Sequence, residues 1–355
     1  MRVLLIKTSS MGDIIHTLPA LTDAGRAIAG IQFDWLVEES FAELASWHPQ
    51  VRRVIPVALR RWRKNMRARE THVALKNLYQ QLHAEKYDLI LDAQGLLKSA
   101  LLMFFTRGLR AGLDFSSARE GLASLIYQRK YTVNFYQHAI VRMRELFSQA
   151  LQYPLPTTLP DCNLNRAQFA TATTNEKYIV FLHGTTWTSK QWPETYWIQL
   201  ATLVAQAGYR IKISGGNQAE MERAIRIANT CAQVDVIPNL NINGMTELLS
   251  QTKAAVAVDT GFGHLAAALD VPIVSIYGST NPAYTGALGK YSLHLAADFP
   301  CAPCLNRECH YRKASQVTPA CYTDITPERV WQNLISIGHL SDEKNSPDRL
   351  ISDRD

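Results

Sequence analysis

The chain has 355 residues, 47% hydrophobic and 19% charged, which is long enough for two domains and too apolar for a disordered chain. No window of about 18 uncharged apolar residues occurs, which argues against a membrane-spanning helix, and six cysteines in this length are no disulfide scaffold. The net charge of +6 is uneven: residues 1–154 carry 21 Lys and Arg against 13 Asp and Glu, the remainder 16 against 18, so the two halves face different partners.

Strand-like runs alternate with helical patterns along the chain. Residues 3–6 read as strand, 14–29 as helix, 33–37 as strand, 40–47 as helix, 54–57 and 89–92 as strands, and 99–105 as helix. Such alternation implies parallel βαβ units. Residues 156–176, the larger part of a Pro-rich and small-polar stretch that begins near Tyr153, read as a linker. The pattern then restarts, with strands at 178–182, 210–213, 234–237, 255–258 and 273–277 and helices at 194–206, 218–231, 245–251 and from Gly263. The expected class is α/β, with one domain over 1–155, a second over 177–340 and a disordered polar tail over 341–355.

In doubly wound sheets, ligands sit beyond the carboxyl ends of the strands. After the first strand comes Thr8-Ser9-Ser10-Met11-Gly12-Asp13, where Asp13 either caps a helix or takes a proton late in a transfer. Loop 183–193 sets Thr185, Thr186 and Lys190 ahead of a helix; these donors suit a phosphate, and an ordinary surface loop is the other reading. At 258–264 a buried strand runs into Gly-x-Gly, so Asp259, Thr260, Gly261 and His264 gather at a helix start where the backbone can approach a diphosphate. Beyond Gly215-Gly216, Glu220 is a candidate for ribose hydroxyls or a plain helix-surface acid. Residues 52–69 hold eight Lys and Arg with no acid, which marks an anionic ligand or a solvated helix face, with Trp62 and Met66 touching lipid or packing inward. The spacing Cys301-x2-Cys304-x4-Cys309-x11-Cys321 leaves a structural Zn or Fe site and reduced thiols both open.

The segments MRVLLIKTSSMGDIIHTLPAL, FDWLVEE, RRWRK, DAQGLLKSA, KQWPE and VDTGFGHLAAALD are collinear and fall in both halves. They resemble the ADP-heptose:lipopolysaccharide heptosyltransferases of glycosyltransferase family 9 over nearly the whole chain. The resemblance implies a GT-B fold: two doubly wound Rossmann-like domains with an interdomain cleft, the first binding the acceptor and the second the nucleotide sugar. It also implies an inverting transfer from ADP-heptose to the Kdo region of lipid A, with no cofactor required. Asp13 then takes the acceptor proton, Thr185, Thr186 and Lys190 hold the donor phosphates, and Glu220 binds the ribose. Asp259, Thr260, Gly261 and His264 surround the diphosphate and heptose. Arg60, Arg61, Arg63 and Lys64, with Lys98, Arg119, His138 and Arg142 as further cations, meet the acceptor's carboxylates and phosphates. The same cations draw a cytoplasmic, peripheral protein to the anionic face of the inner membrane. The alternatives are a relative with another donor or acceptor, such as a second core heptose or a protein, and a basic nucleic-acid-binding module. No nucleic-acid motif accompanies the basic excess.

Overall fold

The computed structural model describes residues 1–170 and 176–340; the expected tail, 341–355, and residues 171–175 of the expected linker lie outside the described residues. The chain divides into two compact units, Met1–Leu164 and a second from Asn165 onward. In the first, β1 (Arg2–Ile6), β2 (Gln32–Glu38), β3 (Val51–Val57), β4 (Lys86–Asp92), β5 (Arg107–Leu113) and β6 (Arg129–Tyr131) pair in parallel in the order β3-β2-β1-β4-β5-β6. In the second, β7 (Tyr178–Leu182), β8 (Arg210–Ile213), β9 (Val234–Val236), β10 (Ala254–Val258), β11 (Ile273–Tyr277) and β12 (Ser292–Ala296) repeat the same winding, as β12-β11-β10-β7-β8-β9. Both orders are Rossmann orders.

The central strands are apolar runs because helices cover both faces of a parallel sheet. Val3 to Ile6 and Ala254 to Val258 are accordingly buried along their whole length. The winding reverses between β1 and β4, and again between β7 and β10, so the loops at the carboxyl ends of those strands diverge and open a crevice in each unit.

One sequence expectation changes. The single helix over 14–29 is two helices, Met11–Ile15 and Leu18–Ala27, with Pro19 in the first turn of the second, where its missing N–H costs nothing. The boundary between the units falls inside the expected linker, and both of its described flanks are packed. On one side Cys162 is buried and the Thr158 carbonyl accepts from Arg144 (2.9 Å). On the other, the Arg166 guanidinium donates to the carbonyls of Ser250 (2.7 Å) and Thr252. Among the described residues no helix is long and apolar enough to cross a membrane.

Asp23 and Arg144 form an ion pair inside the first unit, at 2.6 Å and with both side chains almost fully buried. It ties Leu18–Ala27 to the helix Ala139–Leu151. Removing one member leaves the other charge buried without its partner. Asp23→Ala is therefore expected to lower stability by about 3–5 kcal/mol at neutral pH, read from urea unfolding, whereas a loss below about 1 kcal/mol would show that the site rehydrates.

Candidate active site

In the first unit the loop after β1 is stitched to the loop after β4. Lys7 Nζ donates to the Ala93 carbonyl (2.9 Å), and Gln94 Oε1 accepts from the backbone N–H of Thr8 (2.9 Å) and Ser9 (3.3 Å). Asp13 Oδ2 accepts from Ser10 N (2.7 Å) and Ser10 Oγ (3.1 Å), while Oδ1 lies 3.9 Å from Lys7 Nζ. One oxygen caps the helix and the other faces an ammonium, so capping does not exclude acid–base work. Burial pulls the Lys7 pKa below the usual lysine range, opposed by the charges of Asp13 and Asp92.

The remaining first-unit candidates also stand beyond strand ends. Lys98 follows β4, Arg119 follows β5, and His138 and Arg142 follow β6. His138 caps Ala139–Leu151 by accepting from Ile140 N (3.2 Å), and its ring meets His16 edge-on. Arg142 donates to the Ser117 carbonyl (3.3 Å) and lies over the Phe135 ring, but its Nε is buried without a hydrogen-bond partner. Burial lowers the Arg142 pKa, and Asp13 opposes that shift. A half-buried guanidinium with donor capacity to spare suits an anionic ligand.

Arg60, Arg61, Arg63 and Lys64 lie on the helix Leu59–Lys64, after β3, with Trp62 packed into the core and Met66 exposed. The basic stretch is not free of acids in space. Arg61 pairs with Glu39 (2.9 Å), and Arg52 and Arg53 both bind the buried Asp34 (2.7 and 2.8 Å). Burial pushes the Asp34 carboxyl up, but hydrogen bonds from Arg52 and Tyr87 outweigh it and hold the group below the usual range.

The second unit assembles its candidates around β7 and β10. Lys190 Nζ sits 2.7 Å from Asp259 Oδ2 and over the Trp187 ring, Thr280 Oγ1 donates to that same carboxylate oxygen (2.7 Å), and Thr185 Oγ1 donates to the Asp259 carbonyl (3.2 Å). Thr186 is exposed in the same loop. Thr260 is the N-cap of Gly261–Ala268, whose first-turn N–H groups point out beyond β10, and His264 is buried within that helix. Glu220, in the first turn of Gln218–Ala228, accepts from Gly216 N (2.8 Å). A Cβ on Gly184 would stand only 2.7 Å from Glu220 Oε2, so glycine is what lets the β7 and β8 loops close on each other. His183 is buried and held neutral, its pKa lowered to about 4 by burial and the nearby Arg223.

The four cysteines are distant from these loops in sequence but not in space. Cys301, Cys304, Cys309 and Cys321 line one cavity of about 250 Å³ together with His310, Ser189 and Ser279. Ser189 binds the cysteine loop twice, through its N–H to the Arg307 carbonyl (3.1 Å) and its hydroxyl to the Asn306 carbonyl (2.5 Å). This loop therefore buttresses the turn that carries Lys190. Burial, reinforced by the neighbouring thiols, pushes the Cys321 thiol up to about 12. Among the described residues no three His, Cys, Asp or Glu side chains are arranged to hold a metal ion as they stand. Sequence reasoning missed Lys7, Gln94, Ser189 and Thr280, whose side chains hydrogen-bond to groups remote along the chain.

Residues 75–315 match the model of glycosyltransferase family 9 (heptosyltransferase). The chain is 52% identical over 340 residues to lipopolysaccharide heptosyltransferase 1 of Pseudomonas aeruginosa, covering 93% of this chain and 96% of that protein. It is similar to the solved structure of E. coli heptosyltransferase WaaC with ADP, at a TM-score of 0.84 and 43% identity, covering 95% of this chain and all of that one. WaaC with ADP-2-deoxy-2-fluoro heptose gives a TM-score of 0.77 and 47% identity, covering 84% and 93%. With two Rossmann-ordered units and donor groups gathered where the second sheet reverses, the chain belongs to glycosyltransferase family 9, the heptosyltransferases.

Proposed function

We propose that this heptosyltransferase moves L-glycero-D-manno-heptose from ADP-heptose to the Kdo region of lipid A, in assembly of the lipopolysaccharide inner core. The observation that carries the reading is the Lys190–Asp259–Thr280 cluster beside the Gly261 helix start, a diphosphate cradle in a chain 52% identical to a heptosyltransferase 1. The similar E. coli protein has been solved with ADP and with a fluorinated ADP-heptose, which supports the same donor here.

In this mechanism the acceptor hydroxyl attacks the anomeric carbon, the configuration inverts, and ADP leaves. Asp13 takes the proton as the hydroxyl acidifies in the transition state. Lys190 and the N–H groups at the helix start stabilise charge growing on the diphosphate, Asp259 and Thr185 fix their placement, and Glu220 receives the ribose hydroxyls. The route uses side chains and backbone donors of this chain, and no cofactor is required. Arg60, Arg63, Lys64, Lys98, Arg119, His138 and Arg142 receive the acceptor's anionic groups. The exposed ones, Arg60, Arg63, Lys64, Lys98 and Arg119, also hold the protein at the cytoplasmic face of the inner membrane, at about 1 kcal/mol each near the surface.

Incubating the purified protein with ADP-heptose and Kdo-lipid A and weighing the product tests the reading directly. One added heptose supports it; transfer only to an already heptosylated core, or to protein, overturns the acceptor. A nucleic-acid module is disfavoured because Arg52 and Arg53 are already engaged by Asp34.

Asp13→Asn keeps an oxygen for the Ser10 cap, so its expected loss of about 100- to 10,000-fold in kcat belongs to the base and not to the helix. Calorimetry should find its ADP affinity unchanged; wild-type turnover would remove Asp13 from the chemistry. For Lys190→Ala, ADP affinity and kcat should both fall, by about 10- to 100-fold in affinity, since the ammonium meets charge present before and during departure. Intact titration and turnover would mean the lysine only serves Asp259.

Charge reversal at Arg60, Arg63 and Lys64 should raise acceptor KM while donor KM stays flat, and added salt should imitate it by screening. The opposite pattern would exchange the ligands of the two units. For the cysteine loop, metal analysis of protein purified without chelator decides between the two readings: no metal, with all four thiols titrating freely, would establish reduced thiols. Near-stoichiometric Zn or Fe, lost in Cys301→Ser or Cys304→Ser, would establish the structural metal instead.

A further inference from the structure

We propose that the face built by the helix Leu97–Leu102, the turn Met103–Phe105 and the turn Gly121–Ile126 docks on an anionic lipid bilayer. This rests on the reading that the acceptor is a membrane lipid, and it names the surface that brings the first unit to it.

A surface helix normally turns its apolar stripe inward. Leu97–Leu102 has an inward stripe, Ser99, Ala100 and Leu102, continued by Met103, and also a second apolar stripe outward. Leu97, Leu101 and Phe104, at helical spacing on that outer face, are 37%, 54% and 57% exposed. The turn Gly121–Ile126 packs alongside, with Ala123 and Ser124 buried and Leu122 and Leu125 exposed at 55% and 71%. Phe115, 65% exposed, lies against Gly121 and extends the surface. Large apolar side chains concentrated in this way mark an interaction surface.

The charge around the surface selects the partner. Between residues 93 and 138 there are six Lys and Arg and two acids. Both acids are engaged: Glu120 accepts from Leu97 N (2.7 Å), and Asp114 accepts from Ser117 N and the Thr132 hydroxyl. The Arg110 guanidinium lies over the Phe104 ring, a cation seated on the apolar face itself. A second copy of the chain would bring Lys98, Arg110 and Arg119 against their own kind, whereas an anionic bilayer receives the apolar side chains in its interface and the cations at its headgroups.

Position adds a third argument. The helix begins directly after the loop in which Gln94 holds the Asp13 segment, so its first turn, with Leu97, stands at the strand end that carries the proposed base, and the rest of the face runs back along the flank of the sheet. A lipid-borne hydroxyl can then reach Asp13 without leaving the membrane surface.

The test is flotation of the full chain with phosphatidylcholine vesicles, with and without about a quarter phosphatidylglycerol. Wild type is expected to float with the anionic vesicles. In Leu101→Ser/Leu125→Ser, partitioning should fall by about tenfold or more, with transfer to a water-soluble, deacylated Kdo acceptor kept within about twofold. Both positions are more than half exposed, so the melting temperature should hold; Leu125→Ser alone should shift flotation in the same direction. Equal flotation of variant and wild type overturns the proposal, as does failure of both to float. Loss of a dimer in light scattering with unchanged flotation assigns the face to a second copy and overturns it too. If neither protein uses the soluble acceptor while flotation still depends on the two leucines, the acceptor reading fails and the docking surface stands.

Discussion

A strand covered by helices on both faces has no solvent side, so in a parallel sheet every functional side chain must leave at a strand end. That constraint organises the molecule. The buried runs of β1, β4, β7 and β10 carry no chemistry themselves, yet they fix where the chain emerges, and the reversal of strand order leaves the loops beside those ends unfilled. Asp13 and Gln94 emerge from one such pair of strands, Lys190 and Asp259 from the other. The same topology used twice thus yields a carboxylate held near an ammonium in one unit and a lysine held by a carboxylate in the other.

What separates structural from functional cations is how completely each is matched. Arg144 is almost fully buried against Asp23, and Arg52 and Arg53 converge on Asp34, which also accepts from the Tyr87 hydroxyl. Such pairs fasten elements together and have little left for a ligand. Lys190 differs: its carboxylate partner is shared with Thr280, and its ammonium lies over the Trp187 ring, which orients it with N–H donors to spare. Arg142 is similar, with a buried Nε that no group among the described residues satisfies. Counting charges along the chain treats all of these alike, and only their partners in space sort them.

The same distinction decides what was legible in the sequence. β1, β7 and β10 are readable because their apolar runs report burial on both faces, and β11 is apolar but for Ser275. β5, RGLRAGL, is not, because it alternates arginines with glycines, and one of them, Gly112, is needed where the Tyr127 ring crosses the strand: a Cβ there would lie 2.4 Å from the ring. The helix Arg69–Ala84 escaped because only Thr71, Leu78 and Leu82 are buried, too sparse a stripe to show a period. Site loops announced themselves through glycine, threonine and lysine just past apolar strands. Lys7 gave no such signal, since its hydrogen-bond partner, Ala93, is 86 residues away.

The cysteine loop shows how sequence distance misleads about function. Between Lys190 and Cys301 lie more than four secondary-structure elements, yet Ser189 is bonded to Asn306, Arg307 and Ser279, and Tyr322 donates to its carbonyl (3.2 Å). A short turn of three residues cannot hold a lysine in place through its own backbone. It needs support from behind, and here that support is a loop that also walls the thiol-lined cavity. The placement of Lys190 is therefore a property of residues 301–322 as much as of its own loop. The residues that shape a phosphate site need neither touch the phosphate nor lie near it in sequence, provided that the fold brings them behind the group that does.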